Sequence, residues 1–255
     1  MAVGKSEDGT RELVASLGDK VKILDTVWDN KLTEGGRVLA EETDKAFQAI
    51  AADADWCVYI QGDEVMHEDG YDEVMQAMLK WKDDETVDGL LFKYRHFFGS
   101  YNYVGLEASW YRNEIRVIKN NKSIYSFRDA QGFRKGNNKK LQVKSLNAFI
   151  HHYGWVQSPY IMKSRIDYKA ELYHNGHFDE TKVVVPEDYA FTLIHALQKF
   201  TLKHPQVMQN RIDKVNWVFD YDESKNKLTL KDHFKNITEK LFGRRFFDYK
   251  NYKII

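Results

Sequence analysis

The stretch from Trp56 to Glu64 constrains the fold of this chain more than any other part of the sequence. Five consecutive apolar residues, WCVYI, are followed by Gln61, a glycine and two adjacent carboxylates, Asp63 and Glu64. A short run of aromatic and branched residues predicts a strand that is buried on both faces of an α/β sheet. Since ligands of open α/β sheets bind beyond the carboxyl ends of the strands, the two acids are candidates for a binding site. A buried strand followed by a solvated acidic turn is the alternative interpretation.

Composition indicates an ordinary globular protein and limits its partners. The 255 residues are 43% hydrophobic and 30% charged, and 38 acidic residues balance 38 basic ones. This balance provides no net field that would attract nucleic acid, so we expect no nucleic-acid partner. The single cysteine, Cys57, excludes an intrachain disulfide, and the first residues lack the apolar segment of a signal peptide. Because no apolar run approaches about 20 residues, the predicted location is cytoplasmic.

Hydrophobic periodicity divides the chain into two predicted regions. Residues 1–157 alternate strand and helix patterns and predict an α/β fold, whereas residues 158–255 predict a mostly helical C-terminal extension. Strands are predicted over residues 21–27, 56–60, 88–94, 114–119 and 148–155, with a hairpin turn at 136–140. Helices are predicted over residues 11–17, 37–50 and 69–81 and, in the extension, from 158, over 189–200 and over 231–242.

The helix predicted over 69–81 has a regular apolar stripe. The i, i+3, i+4 spacing of an amphipathic helix is followed by Tyr71, Val74, Met75, Met78 and Leu79. The two methionines are therefore expected to fill the core rather than to bind a ligand. The helix predicted over 231–242 has a comparable stripe, formed by Phe234, Ile237 and Leu241.

Charge is distributed unevenly along the chain. Residues 225–255 contain nine Lys or Arg and three Asp or Glu, a net charge of +6, so the preceding 224 residues carry −6. A basic helix followed by the RRFF sequence at 244–247 is compatible with peripheral contact with an anionic membrane. A solvated basic face is the interpretation that we favour at this point.

Three groups of residues are candidates for chemistry. Asp63 and Glu64, together with His151 or His152 at the end of another predicted strand, could hold Mn²⁺ or Mg²⁺ with a diphosphate. Only one of the two histidines can face such a site, because neighbouring strand residues point to opposite faces. The alternative is a pair of ordinary strand side chains.

The other two groups are weaker signals. Arg37 follows two glycines at a predicted helix N-terminus, where backbone N–H groups attract phosphate. Asp129 lies in a polar segment and could act as a general base. An ordinary loop explains the first group equally well, and an exposed turn explains the second. The sequence contains no P-loop, dinucleotide fingerprint or nucleophile motif.

The order of these segments resembles that of the family 2-like GT-A glycosyltransferases. The resemblance covers residues 1 to about 160 and rests on a Ser-x-Asp-Gly-Thr turn, a glycine-preceded helix, a strand ending in acids, a catalytic-acid segment and a His-Tyr-Gly segment. In this chain those features correspond to residues 6–10, 36–37, 61–64, 128–129 and 152–154. The resemblance implies a GT-A-type, Rossmann-like mixed sheet flanked by helices.

The resemblance also implies a reaction. Such enzymes transfer a sugar from a nucleotide-diphosphate sugar to an acceptor hydroxyl, commonly in polysaccharide or glycoconjugate biosynthesis. The residues in the matching positions would be metal ligands (Asp63, Glu64 and His152), donor-binding residues (Asp8, Arg37, Gln61 and Asp63), and a catalytic base, Asp129, with Glu114 behind it. Trp110 and Tyr111 could stack on the acceptor sugar. We expect an inverting hexosyltransferase-like enzyme that uses Mn²⁺ or Mg²⁺.

This chain departs from the family pattern in three places. Gln61 stands where the first acid of the metal motif is usual, and the segment around Asp129 is a loose match. The family also has another strand and helix before the Ser-x-Asp-Gly-Thr turn, in the nucleotide pocket. A non-catalytic or truncated domain of that fold, which binds a glycan or a protein partner, is therefore the second hypothesis. A metal-dependent phosphohydrolase is a third, for which one acid cluster provides few ligands.

Overall fold

The computed structural model describes residues 1–4, 9–29, 32, 35–158, 161–162 and 196–255. Within them the strands are β1 (Ala2–Val3), β2 (Leu24–Asp25), β3 (Trp56–Val58), β4 (Glu64–Met66), β5 (Gly89–Phe98), β6 (Tyr103–Gly105), β7 (Asn113–Lys119), β8 (Ile124–Phe127), β9 (Gly132–Lys135), β10 (Lys139–Trp155), β11 (Leu197–Lys199) and β12 (Tyr252–Ile254). The α-helices are α1 (Thr10–Ala15), α2 (Arg37–Gln48), α3 (Tyr71–Lys80), α4 (Gln209–Ile212) and α5 (Leu230–Phe242). Single 3-10 turns occupy Gly18–Lys20, Glu68–Gly70, Gln206–Met208 and Glu223–Lys225.

Ten of these strands form one curled, mixed sheet around the long strand β10. One edge of β10 pairs in parallel with β5, and the other edge pairs with β12 in parallel and with β4 antiparallel. Antiparallel pairing extends the sheet from β5 to β7 and β3, and from β5 to β6 and β11. The β8–β9 hairpin pairs with the start of β10. The predicted α/β class with a mixed sheet and flanking helices is confirmed, and the finer GT-A architecture stays a prediction.

Two of the apolar clusters on this sheet each include residues of one long helix. Phe47 of α2 packs with Cys57, Leu91 and other residues of one cluster, whereas α3 contributes Val74 and Ala77 to the other cluster. Leu90 belongs to the α3 cluster although its neighbour Leu91 belongs to the α2 cluster, as the period of a strand requires. Burial of both faces explains why the first four residues of β5, Gly89 to Phe92, are apolar.

The prediction that the strand starting at Trp56 is buried on both faces is wrong. β3 ends at Val58 and pairs with β7 alone among the described strands. Val58 is 51% exposed and Ile60 is 41% exposed. Only Cys57 is fully buried in β3, because the neighbouring sheet covers that side chain and leaves the residues around it open.

Most predicted helices and strands are confirmed, with boundaries that differ by a few residues. α1, α2, α3 and α5 match the predicted helices to within two residues at each end, and the Gly136 turn joins β9 to β10 as predicted. Residues 197–199 were predicted to be helical, but they form β11, because they pair with β6. The remainder of that helix before residue 196, and most of the helix predicted from residue 158, lie outside the described residues.

The apolar stripe predicted for α3 is only partly buried. Val74 and Ala77 contact the core, but Met75 is 56% exposed and Leu79 is 71% exposed, so the prediction that Met75 fills the core is wrong. The helix meets β10 through the face centred on Val74 and Ala77, which turns the Tyr71–Met75–Leu79 side outward.

Residues after 195 add to the same sheet. β11 extends it beyond β6, and β12 pairs with β10 at residues 141–143. Between these strands, α5 is the one long helix in the described part of the C-terminal region. Across the described ranges, no helix has the length and apolar character needed to cross a membrane. The division of the chain at residue 157 stays a prediction.

Candidate active site

The turn after β3 brings Asp63 and Glu64 beside the end of β10. The N–H of Glu64 donates to the carbonyl of Gln61 at 3.1 Å, and Glu64 then begins β4 opposite His152. The N–H of Tyr153 donates to the carbonyl of Asp63 at 2.8 Å. The structure therefore brings Asp63, Glu64 and His152 together, as expected from two strands that end in polar residues. Their role as metal ligands stays a prediction.

The two neighbouring histidines of β10 face opposite sides of the sheet. Nε2 of His152 lies 3.5 Å from Oδ2 of Asp63. His151 is fully buried on the other side, where it contacts Arg95 and the Tyr153 hydroxyl. Burial, together with the nearby Arg95 charge, lowers the pKa of His151 to about 2, so it is neutral in the folded protein. The alternation predicted for the pair is confirmed, and only His152 lies beside the acids.

A second histidine supports His152 from behind. Nδ1 of His96 lies 3.2 Å from Nδ1 of His152. Burial lowers the pKa of His96 well below its usual range, so its imidazole is neutral and can accept a hydrogen bond. Either ring can hold the proton of this contact, and when His152 holds it on Nδ1 the lone pair remains on Nε2, which points toward Asp63. This is the tautomer that a metal-binding histidine needs.

Gly154 keeps the space beside this pair open. A Cβ at Gly154 would lie 2.4 Å from Oδ2 of Asp63 and 2.7 Å from Nε2 of His152. A side chain there would collide with both candidate ligand atoms. The residues present therefore fit a divalent cation with one carboxylate and one imidazole from the protein. Mg²⁺ and Mn²⁺ commonly take the rest of their coordination shell from water and phosphate oxygens.

Glu64 lies in a different environment from Asp63. Its carboxylate is completely buried and accepts two hydrogen bonds from Arg116, from Nε at 2.7 Å and from Nη2 at 2.6 Å. The hydroxyl of Tyr94 donates to the same carboxylate. Both oxygens of Glu64 are thus engaged, and no group of three potential metal-ligating side chains forms anywhere in the described ranges. In this arrangement Glu64 holds Arg116 and does not share the Asp63–His152 contact beside Gly154.

Arg116 connects Glu64 to the predicted catalytic residue Glu114. Nη1 of Arg116 lies 4.0 Å from Oε2 of Glu114, and both side chains are almost completely buried. Burial raises the pKa of Glu114 to about 8, the charge of Arg116 opposes this rise, and the charges of Glu64 and Asp129 add to it. Glu114 is therefore largely protonated at neutral pH and can hold a proton within the site.

Asp129 lies at the tip of the β8–β9 hairpin and is half-buried. Its two neighbours, Arg128 and Ala130, both have the left-handed backbone conformation, with φ of 59° and 60°. Non-glycine residues adopt this conformation at a cost, and such strain is concentrated at functional sites. Asp129 is more exposed than Glu114 and influences its pKa, and the catalytic roles of the two carboxyl groups stay predictions.

Aromatic rings line the same region. Tyr111 and Trp110 pack around His96, with ring centroids 4.3 Å and 5.0 Å from its imidazole. Both rings are partly exposed, as stacking on a sugar requires. Nε2 of Gln61 donates to the hydroxyl of Tyr59 at 2.8 Å, and the ring of Tyr59 lies against Arg116. Gln61 thus belongs to the polar network around Arg116.

Two predicted donor-binding residues remain, Arg37 and Asp8. Arg37 is the first residue of α2 and is exposed; it follows Gly35 and Gly36, both with positive φ. Asp8 and most of the Ser-x-Asp-Gly-Thr turn lie outside the described residues. The roles of Asp8 and Arg37 therefore stay predictions.

Sequence reasoning missed three residues that organise the site, namely Arg116, Tyr94 and His96. One signal was available for Arg116, because it lies two residues after Glu114 in an alternating strand and can share its face. The other two depend on the parallel register of β5 and β10, which sets His96 opposite His152. A register between strands about 50 residues apart cannot be derived from one sequence.

Comparison with known proteins does not identify a family for this chain. A scan against models of protein families finds no match, and a search of curated proteins finds no similar sequence.

Proposed function

We propose that this chain is a metal-dependent glycosyltransferase that transfers a sugar from a nucleotide-diphosphate donor to an acceptor hydroxyl. The observation that carries the proposal is the Asp63–His152 pair, with the space beside it kept open by Gly154. A network of buried charges runs from Glu64, the neighbour of Asp63 in the chain, through Arg116 to Glu114, whose pKa Asp129 influences. The proposal assigns the cation to the Asp63–His152 pair and the base to Asp129.

Each group has a defined part in the proposed reaction. Asp63 and Nε2 of His152 would hold Mn²⁺ or Mg²⁺, which when bound would stabilise negative charge on the departing diphosphate. Asp129 would take the proton of the acceptor hydroxyl as that oxygen bonds to the anomeric carbon. As the new bond forms, the bond between the anomeric carbon and the diphosphate oxygen breaks. The diphosphate leaves with the electron pair of the broken bond. Attack opposite the leaving group inverts the anomeric configuration.

Aromatic and basic groups would position the two substrates. Trp110 and Tyr111, beside His96, would stack on the acceptor sugar, since sugar faces pack well on partly exposed rings. Arg37, at the start of α2, would support the donor phosphates. Glu64 would hold Arg116 in place instead of binding the cation directly.

A second candidate is a domain of this fold that binds a glycan or a protein partner without turnover. It is favoured by the exposed edge of β3, where Val58 and Ile60 are open and no described strand follows. In the family that the sequence resembles, a further strand contributes to the nucleotide pocket. A site in which this edge of β3 stays uncovered would bind the nucleotide weakly.

Calorimetric titration of UDP and GDP, each with and without Mn²⁺, tests the proposal. We expect Mn²⁺-dependent binding in the wild-type protein and its loss in Asp63→Ala. Asp53→Ala is a matched control, because Asp53 is exposed in the loop before β3. Sugar release from the bound donor that depends on an added acceptor would then separate a transferase from a phosphohydrolase.

Two results would overturn the proposal. Absence of UDP and GDP binding under all conditions would leave the non-catalytic candidate, which glycan binding would then support. Unchanged Mn²⁺-dependent binding in Asp63→Ala would exclude Asp63 from the site.

A further inference from the structure

The helix α5 exposes its apolar face. Leu230, Phe234, Ile237 and Leu241 fall within about 60° of one another on a helical wheel, yet they are between 47% and 89% exposed. A helix of a globular protein normally turns such a stripe toward the core. Four large apolar side chains that face outward together indicate a surface that contacts another molecule or a lipid layer.

The opposite face of α5 is polar and holds the helix in this orientation. Asp232 caps the helix with Thr229 and accepts a hydrogen bond from the N–H of Ala108 at 2.7 Å. Glu239 accepts from Arg245 at 2.9 Å, and the buried Lys235 pairs with Asp248. Rotating the helix to bury its apolar stripe would break these charged contacts. The exposed stripe is therefore a fixed feature of the fold.

The segment after α5 enlarges the exposed apolar surface. Phe247 has φ of 59°, a conformation that costs energy for a bulky residue, and its side chain is 89% exposed. Its ring stacks on Phe234, with centroids 6.2 Å apart. Phe242 is 61% exposed and stacks in the same way on Phe246 at 5.2 Å. The strained backbone at Phe247 thus places an additional exposed ring beside the apolar stripe of α5.

The charged residues around the stripe have one sign. Lys231 and Lys240 lie roughly 80–90° to either side of it on the helical wheel, and Arg244 follows the helix; all three are exposed. The three acids of residues 225–255 all make the inward contacts described above. An apolar stripe between exposed cations is the arrangement of a helix that lies in the interface of an anionic membrane.

We propose that α5 and the aromatic segment 246–247 form a membrane-binding surface for bilayers that contain anionic lipids. The apolar stripe and Phe247 enter the boundary between headgroups and acyl chains. Lys231, Lys240 and Arg244 extend toward lipid phosphates on both sides of the stripe, as long basic side chains do at such interfaces. The apolar stripe lies on the side of α5 opposite the polar face that contacts Ala108 and Arg112.

The helix α3 provides a matched control within the same chain. It also exposes an apolar stripe, formed by Tyr71, Met75 and Leu79. However, α3 begins with two acids, Asp72 and Glu73. If exposed apolar area alone caused membrane binding, both helices would contribute. The proposal predicts that only α5 does.

Co-sedimentation with vesicles tests this inference. Vesicles of phosphatidylcholine with phosphatidylglycerol are compared with vesicles of phosphatidylcholine alone, and binding is measured for the wild type, for Phe234→Gln/Ile237→Gln/Leu241→Gln and for Tyr71→Gln/Met75→Gln/Leu79→Gln. We expect the α5 variant to bind anionic vesicles more weakly than the wild type by about tenfold or more. The α3 variant should bind them as the wild type does. Lys231→Glu/Lys240→Glu/Arg244→Glu should also lose binding.

Circular dichroism and the thermal midpoint show whether each variant is folded; since the replaced side chains are exposed, we expect them to be near wild type. Unchanged vesicle binding in the folded α5 variant would overturn the proposal. So would equal binding to neutral vesicles, because the cations would then have no part. A wild-type dimer in sedimentation velocity that the α5 variant abolishes, without vesicle binding, would assign the surface to a second copy of the chain.

Discussion

Asp63 and Glu64 are adjacent in the sequence, but the fold gives them different surroundings. The Glu64 carboxylate is completely buried and bound to Arg116, whereas Asp63 is 28% exposed and lies 3.5 Å from His152. A charge that is buried and fully hydrogen-bonded is fixed in place by its partners. A partly exposed charge in a long contact with an imidazole can exchange that contact for a cation. The comparison teaches that two adjacent acids at a strand end can differ in burial, so that only one of them, Asp63 in the proposal above, is accessible to a ligand.

Arg116→Leu should have the largest effect on stability. It leaves Glu64 without its cation in a site closed to water, and loss of one member of a buried ion pair costs about 3–5 kcal/mol. Urea unfolding should show this loss, and failure to fold would be its extreme form. Arg37→Leu, on an exposed residue, should change the free energy of unfolding by less than about 0.5 kcal/mol. Equal midpoints for the two variants would show that the buried network does not stabilise the fold.

Glu114, which lies beside Arg116 in the buried network, should make the free energy of unfolding depend on pH. Its pKa is raised from 4.5 to about 8 in the folded protein, so the folded state retains a proton that the unfolded state releases. Stability from this group is complete below about pH 4.5 and is lost as the pH rises toward 8. Glu114→Gln should remove this dependence and be more stable than the wild type at pH 8 by roughly 1–3 kcal/mol. Parallel pH profiles of urea unfolding for the two proteins would contradict the expectation.

Gly154→Ala tests the proposed role of Asp63 and His152 in ligand binding. The added methyl group would collide with Asp63 and His152, and overpacking typically costs about 1–3 kcal/mol. We expect lower stability together with loss of Mn²⁺-dependent UDP binding. Gly62→Ala is the matched control in the same turn, since a Cβ there meets no atom within 4 Å. If both variants bind UDP and Mn²⁺ as the wild type does, the space beside Asp63 has no role in binding.

Local pattern explains why much of the fold was predictable. The periodicity of residues 37–50 identified α2, and the apolar run at 148–155 identified the end of β10 beside the acids. The features that could not be predicted depend on contacts between segments that are distant in the sequence. Which of two adjacent acids is buried depends on Arg116 of β7. Periodicity found the stripe on α5, but its outward orientation follows from contacts of the polar face with residues 106–112 and 245. A sequence pattern identifies a stripe without indicating which side meets solvent.

Asp63→Asn should have the smallest effect on stability and a large effect on ligand binding. The Asp63–His152 contact is long and partly exposed, and such pairs contribute about 0–1 kcal/mol. The asparagine preserves the backbone hydrogen bond from Tyr153 but removes the charge that a cation needs. We therefore expect an unfolding midpoint near that of the wild type and no Mn²⁺-dependent heat on UDP addition. Glu64→Gln should behave in the opposite way, with a marked loss of stability. If Asp63→Asn instead destabilised the protein as much as Glu64→Gln, both acids would be structural, and the ligand-binding role would have to pass to other residues.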